Sequence, residues 1–231
     1  MKDGIDIYGQ ALADYSNDSD QSLLMHTSYG TTEEMPVWYL FREYDDLPEM
    51  EKMALAICEG KILDVGAGTG VHSLLLQQMN KEVEAIDNSE NAVRIMTESG
   101  VKSTKCIDFF DLKAQKFDTI LMMMNGIGFI GQLSRFEAFL AKANELLLPG
   151  GQIVFDSSDI SYLYEAVKKP EDKYFGEISF QFEYKGQKGD WFDWVYIDKD
   201  RLSELADKAG WFVYFLHQDE NDQYLVRLIK K

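Results

Sequence analysis

Cysteine is nearly absent from this chain of 231 residues: only Cys58 and Cys106 occur, in apolar or strand-like surroundings and outside any CxxC or Cys/His cluster. That excludes a disulfide framework and leaves no ligand set for a zinc site or a redox pair, so no metal is expected. Basic residues are also few. There are 23 Lys and Arg against 40 Asp and Glu, a formal net charge of −17. Affinity for a nucleic-acid backbone comes mostly from Lys and Arg that displace counterions, so bulk DNA or RNA is not an expected partner. Long apolar runs are missing as well. The start, Met1-Lys2-Asp3-Gly4-Ile5-Asp6, has acids and glycine where a signal peptide needs an apolar stretch, and no run nears the length that spans a bilayer. The expectation is a soluble, cytoplasmic protein with no membrane partner. What is present, 45% hydrophobic and 13% aromatic residues against 27% charged, can bury a substantial core. The length suits one α/β domain with a cap, or two small domains.

The first fifty or so residues are rich in Asp, Glu, Ser and aromatics. Apolar positions in Leu12-Ala13-Asp14-Tyr15 and Val37-Trp38-Tyr39-Leu40-Phe41 suggest short amphipathic helices between polar turns, a cap over residues 1–58. From residue 59 onward strand and helix patterns alternate. Strands are expected at 61–65, 82–86, 103–107, 117–123 and 152–156. Helices are expected at 71–79, with Leu74, Leu75 and Met79 on its apolar face, at 91–99 and at 136–147, the last ended by a turn over 148–151. Four βα units in a row argue for a parallel sheet, doubly wound with helices on both faces. The tail changes rhythm. Ile178, Phe180, Phe182 and Tyr184 alternate with polar residues, and 186–190 turns the chain into 191–197, an inserted β-hairpin at about 176–197. A helix over 200–209 stops at Gly210, and strands at 211–217 and 224–229 close an antiparallel hairpin.

Asp64-Val65-Gly66-Ala67-Gly68-Thr69-Gly70 lies between the first of these strands and its helix, where glycines permit a sharp turn and a close approach of backbone to ligand. Val71 stands where a dinucleotide fingerprint would place its third glycine, which argues against pyrophosphate cradling. Asp87 closes the second strand, where a carboxylate can accept both ribose hydroxyls. Asp108 follows the third, where one can accept the exocyclic amine of adenine.

With these residues the chain resembles the class I S-adenosylmethionine-dependent methyltransferases. Residues 62–70 are similar to their first motif, 84–89 to the second, 107–109 to the third, 117–121 to the fourth strand and 147–151 to the turn before the fifth. The resemblance runs from Gly60 to Lys231. It implies an α/β fold with a seven-stranded, mostly parallel sheet whose last strand is antiparallel; with the patterns above, a helical cap over 1–58 precedes a methyltransferase domain over 59–231 that carries the inserted hairpin. It implies S-adenosylmethionine as cofactor. Gly66, Ala67 and Gly68 would line its methionine part, and Asp64 would help hold the amino group. Asp87 would bind the ribose, Asn88 would flank the adenine, and Asp108 with the backbone of Phe109 would read the adenine edge. Met124 and Asn125, just past the fourth strand, occupy the place where such enzymes bring substrate to the methyl group; for Met124, core packing is an equal reading.

A sulfonium carbon is already activated, so its displacement needs chiefly an acceptor held in line with water excluded. No catalytic residue stands out. His26 is a candidate to reach over the cofactor or a surface polar residue; His72 supports the loop, and His217 is structural. Tyr29, Tyr39 and Arg42 are candidates to close over the methionine end or the substrate, Arg42 as a fork for a carboxylate. Pairing of Arg42 with Asp45 or Asp46 is the competing reading. Phe180, Phe182, Tyr184, Trp191, Trp194 and Tyr196 form either an acceptor wall or the buried face of a hairpin. After the fourth strand, Met123-Met124-Asn125-Gly126-Ile127-Gly128 lacks the Asn/Asp-Pro-Pro-Tyr signature of adenine or glutamine amino methylation and the Pro-Cys of cytosine C5 methylation. A small-molecule methyl acceptor is the expected partner. The alternatives are a nicotinamide-dependent oxidoreductase and a non-catalytic S-adenosylmethionine-binding protein. Oligomeric state leaves no mark in the sequence.

Overall fold

The computed structural model describes residues 5–17, 22–113, 115–165 and 168–231; the part of the charged start over residues 1–4 lies outside them. In chain order the elements are α1 (Ile7–Tyr15), β1 (Leu23–Thr27), β2 (Thr32–Met35), α2 (Glu49–Ile57), β3 (Lys61–Val65) and α3 (Val71–Gln78). Next come β4 (Glu82–Asp87), α4 (Glu90–Glu98), β5 (Thr104–Cys106), β6 (Phe117–Met122), α5 (Phe136–Leu146) and β7 (Leu147–Ser158). The last are β8 (Glu177–Tyr184), β9 (Gln187–Val195), α6 (Lys199–Lys208), β10 (Trp211–Gln218) and β11 (Gln223–Lys230). Seven strands form one sheet in the order β10-β11-β7-β6-β3-β4-β5. β4 and β5, and β6 and β7, pair in parallel, whereas β11 runs antiparallel to both β7 and β10. This is the mostly parallel sheet with an antiparallel end that the sequence implies. Among the described residues no helix is long and apolar enough to cross a membrane.

Two compact units make up the chain. The first comprises Met1–Pro48, Leu63–Leu112 and Ser179–Phe192. Here the sequence reading needs correction, because the N-terminal segment is not built of helices alone. Between α1 and the 3-10 turns at Val37–Leu40 and Tyr44–Asp46 lies the hairpin β1–β2, which extends β8–β9 into a second sheet ordered β2-β1-β8-β9. Thr32-Glu33-Glu34-Met35 has no apolar alternation to announce a strand. It becomes one by pairing with β1, which pairs on its other side with β8 in the register Met25↔Phe182.

The helix after the glycine loop buries Leu75 and Leu76, while Met79 caps its end at 37% exposure, so the apolar face lies one residue from where the spacing placed it. α4 is capped by the Ser89 hydroxyl and buries Ala92, Ile95 and Met96. Met96 packs with Ala85 and Val101, and Ala67 of the glycine loop rests against that cluster.

The inserted hairpin also turns earlier than the sequence suggests. Lys185 and Gly186 have φ of 50° and 75°, and β9 already begins at Gln187 rather than at Trp191. Two successive left-handed residues form the tight turn whose twist matches antiparallel strands, so no longer loop is needed. A Cβ at Gly186 would meet nothing within 4 Å. Gly186→Ala should therefore cost only the backbone term, about 1–2 kcal/mol, seen as a lower urea midpoint at unchanged slope. An unaltered midpoint would show that the turn is not left-handed in solution.

The second unit comprises Glu49–Ile62, Lys113–Ile178 and Asp193–Lys231. β7 runs between β6 and β11, and its inner residues, from Ile153 to Phe155, are fully buried. The expected turn over 148–151 survives as a bulge: the register jumps from Phe117↔Leu147 to Thr119↔Gln152, and Gly150 has φ of 80°. Phe117, Phe136, Phe139, Phe155, Trp211 and Tyr224 are the largest side chains in this unit's interior. Burial of each such side chain is worth about 1.5–3 kcal/mol.

Candidate cofactor site

β3 delivers the chain to the glycine loop with Asp64 buried beneath it. The Ser73 hydroxyl donates to Asp64 Oδ2 at 2.6 Å. Burial raises the Asp64 carboxyl above its ordinary range, and the neighbouring His72 and Ser73 oppose the rise. The amides of Gly66 and Ala67 both donate to the Ile86 carbonyl, at 2.9 and 3.1 Å, so the loop is pinned to the end of β4.

Two of the glycines are required where they stand. Gly70 opens α3 at φ 84°, and a Cβ there would lie 2.8 Å from Val101 Cγ2 and 2.9 Å from Met96 Cγ. Gly68, at φ 57°, donates its amide to Asp87 Oδ2 at 2.9 Å. The other carboxylate oxygen of Asp87 accepts the Ser89 amide at 2.9 Å. Burial raises the Asp87 carboxyl, and the Ser89 and Gly68 amides counter it by favouring the charged form.

Asp108 comes to the same strand ends. The Ile107 amide donates to the Asp87 carbonyl at 2.9 Å, and Asp108 follows directly, exposed, with Oδ1 accepting the Phe110 amide at 2.8 Å. Phe109 is buried against Phe110, while Asn88 is exposed. Gly68 is thus tied directly to the Asp87 carboxylate, and Asp108 stands next in the chain to Ile107, which is tied to the Asp87 carbonyl.

Two residues that the sequence reading did not single out join this set. Asp6 caps α1 through the Gly9 amide at 2.8 Å and accepts the Ser89 hydroxyl at 2.6 Å. Tyr8, on the first turn of α1, stacks on Phe182 at 5.6 Å, and its hydroxyl lies 3.2 Å from where a Cβ on Gly68 would stand. Burial, then the charges of Asp87 and Asp6, push the Tyr8 phenol well above its ordinary pKa, so it stays protonated and can donate. Only an acid ahead of the apolar helix positions hinted at the Asp6 cap; nothing local marks Tyr8 as facing the loop.

The other candidates of the first unit are engaged by partners of their own. Tyr29 donates to Glu33 Oε1 at 2.8 Å at the β1–β2 turn, and its phenol is pushed up to about 12 by burial and then by Glu33. Arg42 is buried, with its guanidinium 3.8 Å from the centre of the Tyr39 ring and Nε donating to the Tyr39 carbonyl at 2.7 Å. It lines a hollow of about 480 Å³ shared with Thr69, Val71 and Leu74. His26 is built into the second sheet, Nε2 lying 2.7 Å from Glu183 Oε2 and Nδ1 2.9 Å from Thr32 Oγ1. Of the aromatic stripe, Phe180 and Tyr184 are buried and Phe182 packs on Phe192 at 5.0 Å, whereas Trp191 is 51% exposed.

Met124 and Asn125 belong to the second unit. Both are left-handed, at φ 63° and 55°. The Asn125 amide donates to Asp156 Oδ2 at 2.9 Å, and the Ser158 hydroxyl donates to Asn125 Oδ1 at 3.1 Å.

Comparison with known proteins identifies the family. The methyltransferase-domain family matches residues 62–151. An S-adenosylmethionine-dependent methyltransferase from Bacteroides fragilis, solved in complex with S-adenosyl-L-homocysteine, is 42% identical, with a TM-score of 0.89 over 98% of this chain and 95% of that one. An uncharacterized methyltransferase of Staphylococcus carnosus is 25% identical over 171 residues, 71% of this chain and 80% of its own. The methyltransferase CcbJ of Streptomyces caelestis shares the fold, with a TM-score of 0.64, 18% identity and coverage of 81% and 95%. The chain belongs to the class I S-adenosylmethionine-dependent methyltransferases, and S-adenosylmethionine is its cofactor. The nicotinamide alternative falls with that assignment.

The loop fits the cofactor. Gly66 is exposed, and a Cβ on it would meet nothing within 4 Å, so a ligand can approach its backbone. A carboxylate stands behind the loop at Asp87.

Proposed function

We propose that this enzyme methylates a small organic acceptor, and that Asp64, Gly66, Ala67, Gly68, Asp87, Asn88, Asp108 and Phe109 seat the cofactor. The observation that carries the assignment is the Gly68 amide bound to Asp87, which fixes a glycine loop and a ribose-accepting carboxylate in one rigid arrangement. When bound, S-adenosylmethionine supplies a methyl carbon on a positive sulfur. Asp87 would accept the ribose hydroxyls, Asp108 and the Phe109 amide would read the adenine edge, and Asp64 would bear on the amino group from beneath the loop. Tyr8 would offer its hydroxyl as a hydrogen-bond donor over the loop and exclude water there. Met124 and Asn125 are assigned from their place after the fourth strand of the family pattern, as the turn that meets the methyl group and its acceptor. Tyr29, Tyr39 and Arg42 are assigned to acceptor binding.

The small-molecule reading rests on the charge of −17, which repels polyphosphates, and on the absence of the nucleobase-methylating signatures. The scarcity of cysteine supports a cytoplasmic enzyme. The test pairs calorimetry of S-adenosylhomocysteine with isotopic methyl transfer to panels of amines, phenols, carboxylates and thiols, with tRNA and duplex DNA alongside. Micromolar or tighter binding with transfer to one small-molecule class is expected. Transfer to nucleic acid with none to any small molecule would overturn the reading.

A further inference from the structure

Asp156 is a carboxylate set in the apolar strand Gln152-Ile153-Val154-Phe155-Asp156, at 1% exposure. A buried charge is costly unless paired and hydrogen-bonded. Its Oδ2 accepts the Asn125 amide at 2.9 Å and the Gln223 side-chain amide at 2.6 Å, while Oδ1 has no hydrogen-bond partner among the described residues. What the carboxylate holds is unusual. Met124 and Asn125 are successive non-glycine residues in the left-handed region, where a long side chain such as Met costs roughly 1–2 kcal/mol. Such a conformation persists only where its surroundings over-determine it. Three contacts do so here: Asp156 on the Asn125 amide, Ser158 on the Asn125 side chain, and the Gly128 amide donating to the Asn125 carbonyl at 2.9 Å. Of these three, the first joins the turn to a charged acceptor, and a charge-assisted bond is about twice as strong as a neutral one.

The geometry points to Asp156 as a positioning residue for methyl transfer: by accepting the Asn125 amide it holds the Met124–Asn125 turn in the left-handed form that serves the reaction. The inference rests on the assignment of that turn to the methyl group and its acceptor. Gln223 of β11 donates to the same carboxylate oxygen, so the antiparallel end of the sheet reaches the turn through one hydrogen-bonded chain.

The test uses the full chain, with S-adenosylhomocysteine as probe. In Asp156→Asn an acceptor oxygen remains, so the Asn125 amide resonance and the affinity should stay close to wild type, within about threefold in Kd. In Asp156→Val, which suits a buried strand, the acceptor is gone. There the Asn125 amide should shift and the Kd rise at least tenfold, with melting temperature no lower than in Asp156→Asn. A folded Val variant that binds within threefold of wild type overturns the inference, whether or not its amide moves. Should the Val variant not fold, the unmodified protein decides: the Asn125 amide must follow the titration of the Asp156 carboxyl carbon, and an amide that ignores it overturns the inference. Failure of wild type to bind S-adenosylhomocysteine would instead refute the reading of the preceding section.

Discussion

Replacing Asp87 with alanine weakens S-adenosylhomocysteine binding by about 1–3 kcal/mol, roughly 5- to 150-fold in Kd. Two losses add. The ribose hydroxyls lose a charged acceptor, and the Gly68 and Ser89 amides, each 2.9 Å from an Asp87 oxygen, lose the group that orients the loop. Asp87→Asn keeps one acceptor oxygen and should fall between wild type and alanine. Asp108→Ala should cost less, because Asp108 is exposed and water replaces part of what it provides. Calorimetry on the three variants checks the order. Equal Kd for wild type and Asp87→Ala, both folded, would remove Asp87 from the site.

Asp156 makes stability fall as pH rises, and Asp156→Asn abolishes that fall. Burial, outweighing the bonds from Asn125 and Gln223 and reinforced by Glu51, lifts the Asp156 pKa from 3.8 to about 6. Below 3.8 the carboxyl is protonated in both folded and unfolded chains and costs nothing. Between 3.8 and about 6 the unfolded chain gives up the proton that the folded one keeps, so stability declines; above that the full penalty is present. At 1.36 kcal/mol per pKa unit the span is worth about 3 kcal/mol. The asparagine variant should therefore match wild type near pH 3.5 and be the more stable of the two at pH 7.5. The measurement is the difference in urea-unfolding free energy at those two pH values. A difference that does not grow with pH would show that Asp156 titrates normally.

Most of the strands and helices from Lys61 to Asp156 were legible because the helices bury apolar residues at helical spacing and strands β3, β4, β6 and β7 are largely buried runs. The glycine loop and the acids at successive strand ends were legible because the chemistry depends on short-range spacing. The residues that the structure gathers around them were not. Tyr8 reaches Gly68, and Asp6 reaches Ser89, across more than fifty positions of chain, and no local pattern encodes such a meeting. β2 was missed for a similar reason. Its four residues carry no strand signal, and only pairing with β1, itself paired with β8, makes it one.

By itself, the order of residues determined the class of fold through its hydrophobic period, and through its resemblance to the methyltransferases it pointed to the cofactor and to the carboxylates proposed to hold it. Tertiary structure decided which polar groups are buried together: Tyr8 beside Asp87, and Asp156 beneath Asn125. The energy of a buried charge or a strained turn is set by what packs around it, and those neighbours come from distant parts of the chain.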